Sequence, residues 1–167
     1  SPTRVTKGTH KDLQVLGKEQ SLSLDLVSSF SAKQKEQALL SKSHGPEPTS
    51  RVFREDYESN PGIPYQALKK EQQIQLYDLI VVFAEKYRPE LIEQIDGRKK
   101  IIDPSSIKFS YQYSAKGYVS YFRILSNEYL IEFDNIGGNH VHAAWRDFDG
   151  DFGRYRLKQH LMEVKHP

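Results

Sequence analysis

The chain contains no cysteine. That excludes a disulfide framework, a thiolate metal site and a cysteine nucleophile. Chemistry is left to histidine, carboxylate, hydroxyl and guanidinium groups. Long apolar runs are also missing. The most hydrophobic stretch, Leu79-Ile80-Val81-Val82-Phe83-Ala84, is too short to span a bilayer and reads as a core segment. No membrane partner is expected, and no secretory leader pattern is visible. Neither sign of charge dominates: 24 Lys and Arg face 22 Asp and Glu, for a formal net charge of +2. No basic stripe with interleaved aromatics occurs. The short cluster Arg98-Lys99-Lys100 reads as a solvated helix end, so no nucleic-acid partner is expected. A Gly-x-Ser-x-Gly nucleophile elbow is absent too. Methionine and tryptophan occur once each, against ten tyrosines, which points to a tyrosine-rich sheet surface.

A length of 167 residues suits one compact domain spanning 1–167. The chain opens Ser1-Pro2-Thr3 rather than with methionine, as expected of a piece of a longer protein. Residues 1–64 read as a helical and loop lead-in. Within it, 1–17 has no clear period, Lys18 to Phe30 reads as a helix, and Ser31 is an N-cap for a second helix, Ala32 to Leu40. Ser41 to Pro64 is a long connection rich in proline, glycine and polar residues. Residues 65–100 read as helices. Lys69 to Tyr87 carries an apolar stripe of Ile74, Leu76, Tyr77, Ile80, Val81, Phe83 and Ala84, and a short helix runs from Glu90 to Ile95.

At Ile107 the period changes to two, and residues 107–145 read as an antiparallel sheet. A closing helix is expected over 154–164. The fold class is therefore α+β: an antiparallel β-meander of about four strands packed against helices.

Two hairpins fix the expected faces. With Ser126-Asn127 as a two-residue turn, Tyr121 pairs with Glu132, Val119 with Asp134, and Phe122 with Ile131. With Asn135 to Asn139 as a five-residue loop, Asp134 faces His140, Glu132 faces His142, and Tyr129 meets Trp145. A one-residue slip would mix the two sets. The polar face is then Tyr121, Arg123, Glu132, Asp134, His140 and His142. The core face is Phe122, Ile124, Tyr129, Ile131, Phe133, Val141, Ala143 and Trp145.

His140-Val141-His142 puts two imidazoles on one side of a strand, a spacing that suits chelation of one divalent transition metal. Glu132 or Asp134 either completes a two-histidine, one-carboxylate set or orients an imidazole from behind. No third histidine is evident: His10, His44, His160 and His166 lie in terminal, loop or helical segments. A metal-free reading uses the same groups, with a histidine as general base or acid and Arg123 or Arg146 binding an anionic substrate. The plainest alternative is a pair of solvated histidine–carboxylate contacts. The candidate catalytic residues are Glu132, Asp134 and Arg146. Tyr121 and Arg123 are the candidate substrate-binding residues, and His140 and His142 the candidate metal ligands. Asp147, Asp149 and Asp151 match the start of a calcium loop. Phe152 and Lys158 stand where that loop needs glycine and glutamate, so a turn is favoured.

The stretch from Leu130 to Asn135, followed by Asn139-His140-Val141-His142-Ala143-Ala144-Trp145-Arg146-Asp147-Phe148-Asp149-Gly150-Asp151-Phe152-Gly153, resembles a bacterial family of uncharacterised proteins, domain-of-unknown-function family 3500. Pro61-Gly62-Ile63-Pro64-Tyr65, Gln72, Tyr121-Phe122-Arg123-Ile124 and Leu26-Val27-Ser28-Ser29-Phe30 with Gln34 extend the resemblance over nearly the whole chain. Members of that family are about twice this long. The resemblance thus implies a C-terminal half, whose partner is a missing N-terminal half carrying a Gly-His-His motif. It also implies export, hence a periplasmic or extracellular location. The chain departs from the family at Arg154-Tyr155-Arg156, where members tend to be acidic. Three functions are open. One is a metal-dependent enzyme domain, hydrolytic or oxidative, acting on a small molecule. A second is a non-catalytic module binding carbohydrate or peptide on a tyrosine-lined sheet. The third is a structural half of a larger protein.

Overall fold

A computed structural model of the chain describes residues 3–40, 62–86, 104–135, 137–148 and Met162. The expected connection from Ser41 lies outside these residues as far as Pro61. The Glu90–Ile95 helix, the turn after Phe148 and nearly all of the 154–164 helix lie outside them as well.

Helix α1 runs Gly17–Ser28, α2 Ala32–Ala38 and α3 Lys70–Ala84. The strands are β1 Ile63–Pro64, β2 Lys108–Tyr113, β3 Val119–Leu125, β4 Tyr129–Asp134 and β5 His142–Asp147. They form one five-stranded sheet in the order β1-β2-β3-β4-β5, with every pairing antiparallel. The fold is α+β, as the change of period implied.

Local chemistry sets the helix starts. Ser31 Oγ accepts from the Gln34 backbone N–H, and Gln34 Oε1 accepts from the Ser31 N–H, a reciprocal capping box. At α3 the Lys69 N–H donates to Gln72 Oε1 at 2.9 Å. Gln72 is buried, and its Nε2 donates to Ser29 O at 2.9 Å, tying the start of α3 to the end of α1.

The helices lie on one face of the sheet. Phe83 of α3 meets Phe122 of β3 edge to face at 6.0 Å, and Phe30 meets Phe109 of β2 in the same way. Phe109, Phe122 and Phe133 then stack across three strands. Each fully buried aromatic of this kind contributes on the order of 2–3 kcal/mol of hydrophobic stabilisation.

The inward stripe of α3 differs from the expected one. Gln72, Leu76, Leu79, Ile80, Val82 and Phe83 are buried, whereas Ile74 and Tyr77 are exposed. A 3.6-residue period accommodates either stripe, because the helix is apolar over more than half its circumference. Docking against β3 through Phe83 selects one of them.

Both hairpins differ in register from expectation by an even number of residues. In the first, Leu125 pairs with Leu130, Ile124 with Ile131, Arg123 with Glu132, Phe122 with Phe133 and Tyr121 with Asp134. The tight turn is Asn127-Glu128, not Ser126-Asn127. Ser126 Oγ accepts from the N–H groups of Glu128 and Tyr129, at 3.1 and 2.9 Å, which holds Ser126 on the β3 side of the turn. In the second hairpin Asp134 pairs with His142, Glu132 with Ala144 and Ile131 with Trp145. The expected facings of Glu132 with His142 and Asp134 with His140 are therefore replaced. The connecting loop is longer than five residues because it is tethered. Asn135 N–H donates to Ser120 O at 2.7 Å, Asn135 Nδ2 donates to Gln20 Oε1 of α1 at 2.7 Å, and Thr3 N–H reaches Asn139 O. Within the loop Gly138 has φ +75°, and a Cβ there would stand 2.9 Å from the Tyr118 hydroxyl, so glycine is required.

Because both shifts are even, each face keeps its residues. Val119 is the exception, buried in the apolar core rather than beside Asp134. The ladder breaks register between Gln112 and Tyr113, so Tyr113 pairs with Val119 and Ser120 is the extra residue of a bulge.

Candidate functional site

The face of the sheet opposite the phenylalanine stack is built from rows that cross the strands. Gln112, Tyr121, Asp134 and His142 form one row. Ser110, Arg123, Glu132 and Ala144 form the next, and Lys108, Leu125, Leu130 and Arg146 the third. Neighbouring strands stand about 4.8 Å apart and neighbouring rows about 6.8 Å apart. All five of Tyr121, Arg123, Glu132, Asp134 and His142 thus share one face, as the alternation implied.

The sequence reading missed the depth of this face. Read as an open surface, it is buried: Tyr121 and Glu132 are 0 % exposed, Asp134 1 % and Arg123 4 %. Arg146, which lies on it too, is 9 % exposed. Alternation of polar and apolar residues reports which face a residue takes, not whether water reaches it. Ser110, also buried, joins the face and was not singled out in the sequence.

Polar burial on this scale needs partners. The Tyr121 hydroxyl donates to Glu132 Oε1 at 2.6 Å, a short bond along the diagonal between two rows. Arg123 stands directly opposite Glu132 in the ladder, yet its side-chain Nε and Nη2 are buried and have no hydrogen-bond partner.

The two histidines sit at the border of the face. His140 is exposed and His142 half-buried. Their Nε2 atoms converge to 2.8 Å, and the rings meet edge to face with centroids 4.5 Å apart. One tautomer assignment lets one ring donate to the other. His142 Nδ1 is buried and has no hydrogen-bond partner. Two nitrogens bound to one ion at about 2.0–2.1 Å, at angles of about 90–110°, would stand about 2.8–3.4 Å apart, so small rotations adapt this pair to an ion. Among the described residues no group of three or more histidines and carboxylates is close enough to hold a metal. Glu132 and Asp134 therefore do not complete a ligand set with both histidines in this arrangement.

Of the other expectations, the rings of Tyr129 and Trp145 do meet, with centroids 5.1 Å apart, but diagonally: the ladder pairs Tyr129 with Asp147 and Trp145 with Ile131. Trp145 is half-buried against the core rather than within it, and Ala143 is exposed. Tyr111, Tyr121 and Tyr129 are buried and form no open aromatic platform. Burial raises the Tyr129 phenol well above its usual range, and the nearby Glu128 adds to that. Burial, with Tyr113 adding, pushes Tyr111 up to about 12. No helix of the described residues is long and apolar enough to cross a membrane.

The class defined by these features is an α+β protein with an antiparallel meander, one face under helices and the other a buried layer of mixed charge. The model of a protein family of unknown function, DUF3500, matches residues 1–154, and the chain belongs to that family. No curated protein and no solved structure matches it.

Proposed function

We propose that the chain is a metal-dependent enzyme domain, hydrolytic or oxidative, in which His140 and His142 provide two imidazole ligands for a divalent transition metal. The observation that carries this reading is the 2.8 Å convergence of the two Nε2 atoms at the edge of a buried polar face. The donor set fits an ion of intermediate softness such as zinc, copper, nickel or iron. Bound there, the ion would supply Lewis acidity or redox chemistry. Two imidazoles leave the site open, so the further ligand is proposed to come from outside the described residues, on this chain or on a longer form of the protein.

The chain's own groups have assignable roles. Glu132, held by Tyr121, is the carboxyl positioned to take or give a proton. Asp134, opposite His142 in the ladder, is placed to orient that imidazole. Arg146 and Arg123 supply positive charge on the same face.

The test is elemental analysis of the longest form of the protein, purified and then supplemented with zinc, copper, nickel or iron. The wild type is expected to retain about one ion per chain. A folded His140→Ala, His142→Ala double variant is expected to lose it. Equal retention in both, or none in the wild type, would return the histidines to a simple surface contact.

A further inference from the structure

An arginine taken out of water normally arrives with an anion, because an unpaired buried cation is strongly destabilising. Arg123 is 4 % exposed, and its Nε and Nη2 have no hydrogen-bond partner. These two nitrogens form one edge of the guanidinium. Their parallel N–H bonds match the two oxygens of a carboxylate or phosphate. The nearest candidate counter-ion by register is Glu132, directly across the ladder. Its Oε1 is held by the Tyr121 hydroxyl at 2.6 Å, and neither Nε nor Nη2 of Arg123 hydrogen-bonds to it. A neutral donor holds one oxygen of that carboxyl, and the Nε–Nη2 edge of the arginine opposite has no hydrogen-bond partner.

We propose that Arg123 anchors a binding site for a carboxylate-bearing small molecule, gripped in bidentate fashion through Nε and Nη2. The neighbours select the class. Glu132 lies opposite Arg123, and Asp134 sits one row away beside Tyr121. Beside two acidic side chains, a singly charged planar carboxylate meets less repulsion than a doubly charged phosphate. Ser110, opposite Arg123 on β2 and buried, lies on the same row. The proposal assigns a substrate class to the polar face described above but does not need the metal. It is therefore tested on metal-free protein.

The full chain is stripped of metal on a chelating resin and kept in Tris chloride. Thermal unfolding is followed with acetate, malonate or inorganic phosphate, each against sodium chloride of equal ionic strength. Malonate or acetate is expected to raise the wild-type Tm by about 3–6 °C at saturation, beyond the chloride control. Arg123→Lys keeps the charge but loses the paired edge, and Arg123→Met loses both; neither is expected to respond. Tyr121→Phe removes the donor on Glu132 Oε1, which can then compete for the arginine, and is expected to weaken the response at least tenfold in concentration. No carboxylate response in the wild type overturns the proposal and leaves buried water as the partner of Arg123. An equal response in Arg123→Lys also overturns it, as does a response to phosphate alone. Because no metal is present, failure here is distinct from failure of the histidine site.

Discussion

Tyr121 donates its hydroxyl proton to Glu132 although the strand register places it opposite Asp134. The bond runs diagonally, between rows about 6.8 Å apart, and is within reach because the tyrosine side chain is long. Both groups are fully buried, so the bond anchors the polar face. Tyr121→Phe is expected to cost about 1–3 kcal/mol, the range for stranding a buried polar group. Urea denaturation monitored by circular dichroism checks this. A loss below about 0.5 kcal/mol would mean that the carboxyl finds another donor at once.

Tyr129 makes the opposite case. Its hydroxyl is buried with no hydrogen-bond partner. Tyr129→Phe is expected to be neutral, or stabilising by up to about 1 kcal/mol, at pH 7. The pH dependence follows from the raised phenol. Below pH 10, the ordinary tyrosine value, the phenol is protonated in both the folded and the unfolded chain, and stability does not change through it. Above pH 10 the unfolded chain loses the proton while the fold retains it, so stability falls as pH rises. Tyr111, raised to about 12, acts in the same direction. Comparing unfolding midpoints at pH 8 and pH 11 is expected to show a smaller alkaline loss in Tyr129→Phe than in the wild type. Equal losses would assign the alkaline effect to Tyr111 or another group.

Gln72 joins three segments: it accepts from Lys69 N–H, donates to Ser29 O and exchanges hydrogen bonds with the Gln34 side chain. Gln72→Leu keeps the volume but leaves those groups unpaired in a part-buried junction. A loss of about 1–3 kcal/mol is expected. Gln34→Ala should cost less, since Gln34 is less buried, and the double variant should lose less than the sum. Additive losses in a double-mutant cycle would show that the two amides act independently.

Trp145 packs against Tyr129 with tilted rings but is only half-buried. Trp145→Ala is expected to cost about 2–3 kcal/mol, short of the 3–5 kcal/mol of a fully enclosed aromatic. Tryptophan is unique in the chain, so its loss removes the indole fluorescence, and circular dichroism must follow unfolding in the variant.

The sequence by itself determined the class of fold, the Ser31 N-cap and the division of each strand into two faces. These are legible because they rest on local periods: 3.6 residues for a helix and two for a strand. An even slip moves partners without moving faces, which is why Glu132, Asp134 and His142 share a face despite both hairpins differing from the expected register. Tertiary structure decided the rest. The partners were set by the hydroxyl of Ser126 and by the tether of Asn135 to Gln20 and Ser120, contacts that no strand pattern contains. Docking of Phe83 against Phe122 chose which side of α3 faces inward. Burial of the Tyr121, Arg123 and Glu132 layer was likewise a tertiary outcome. Periodicity records the direction of a side chain, whereas access to water depends on what the remainder of the chain lays over it.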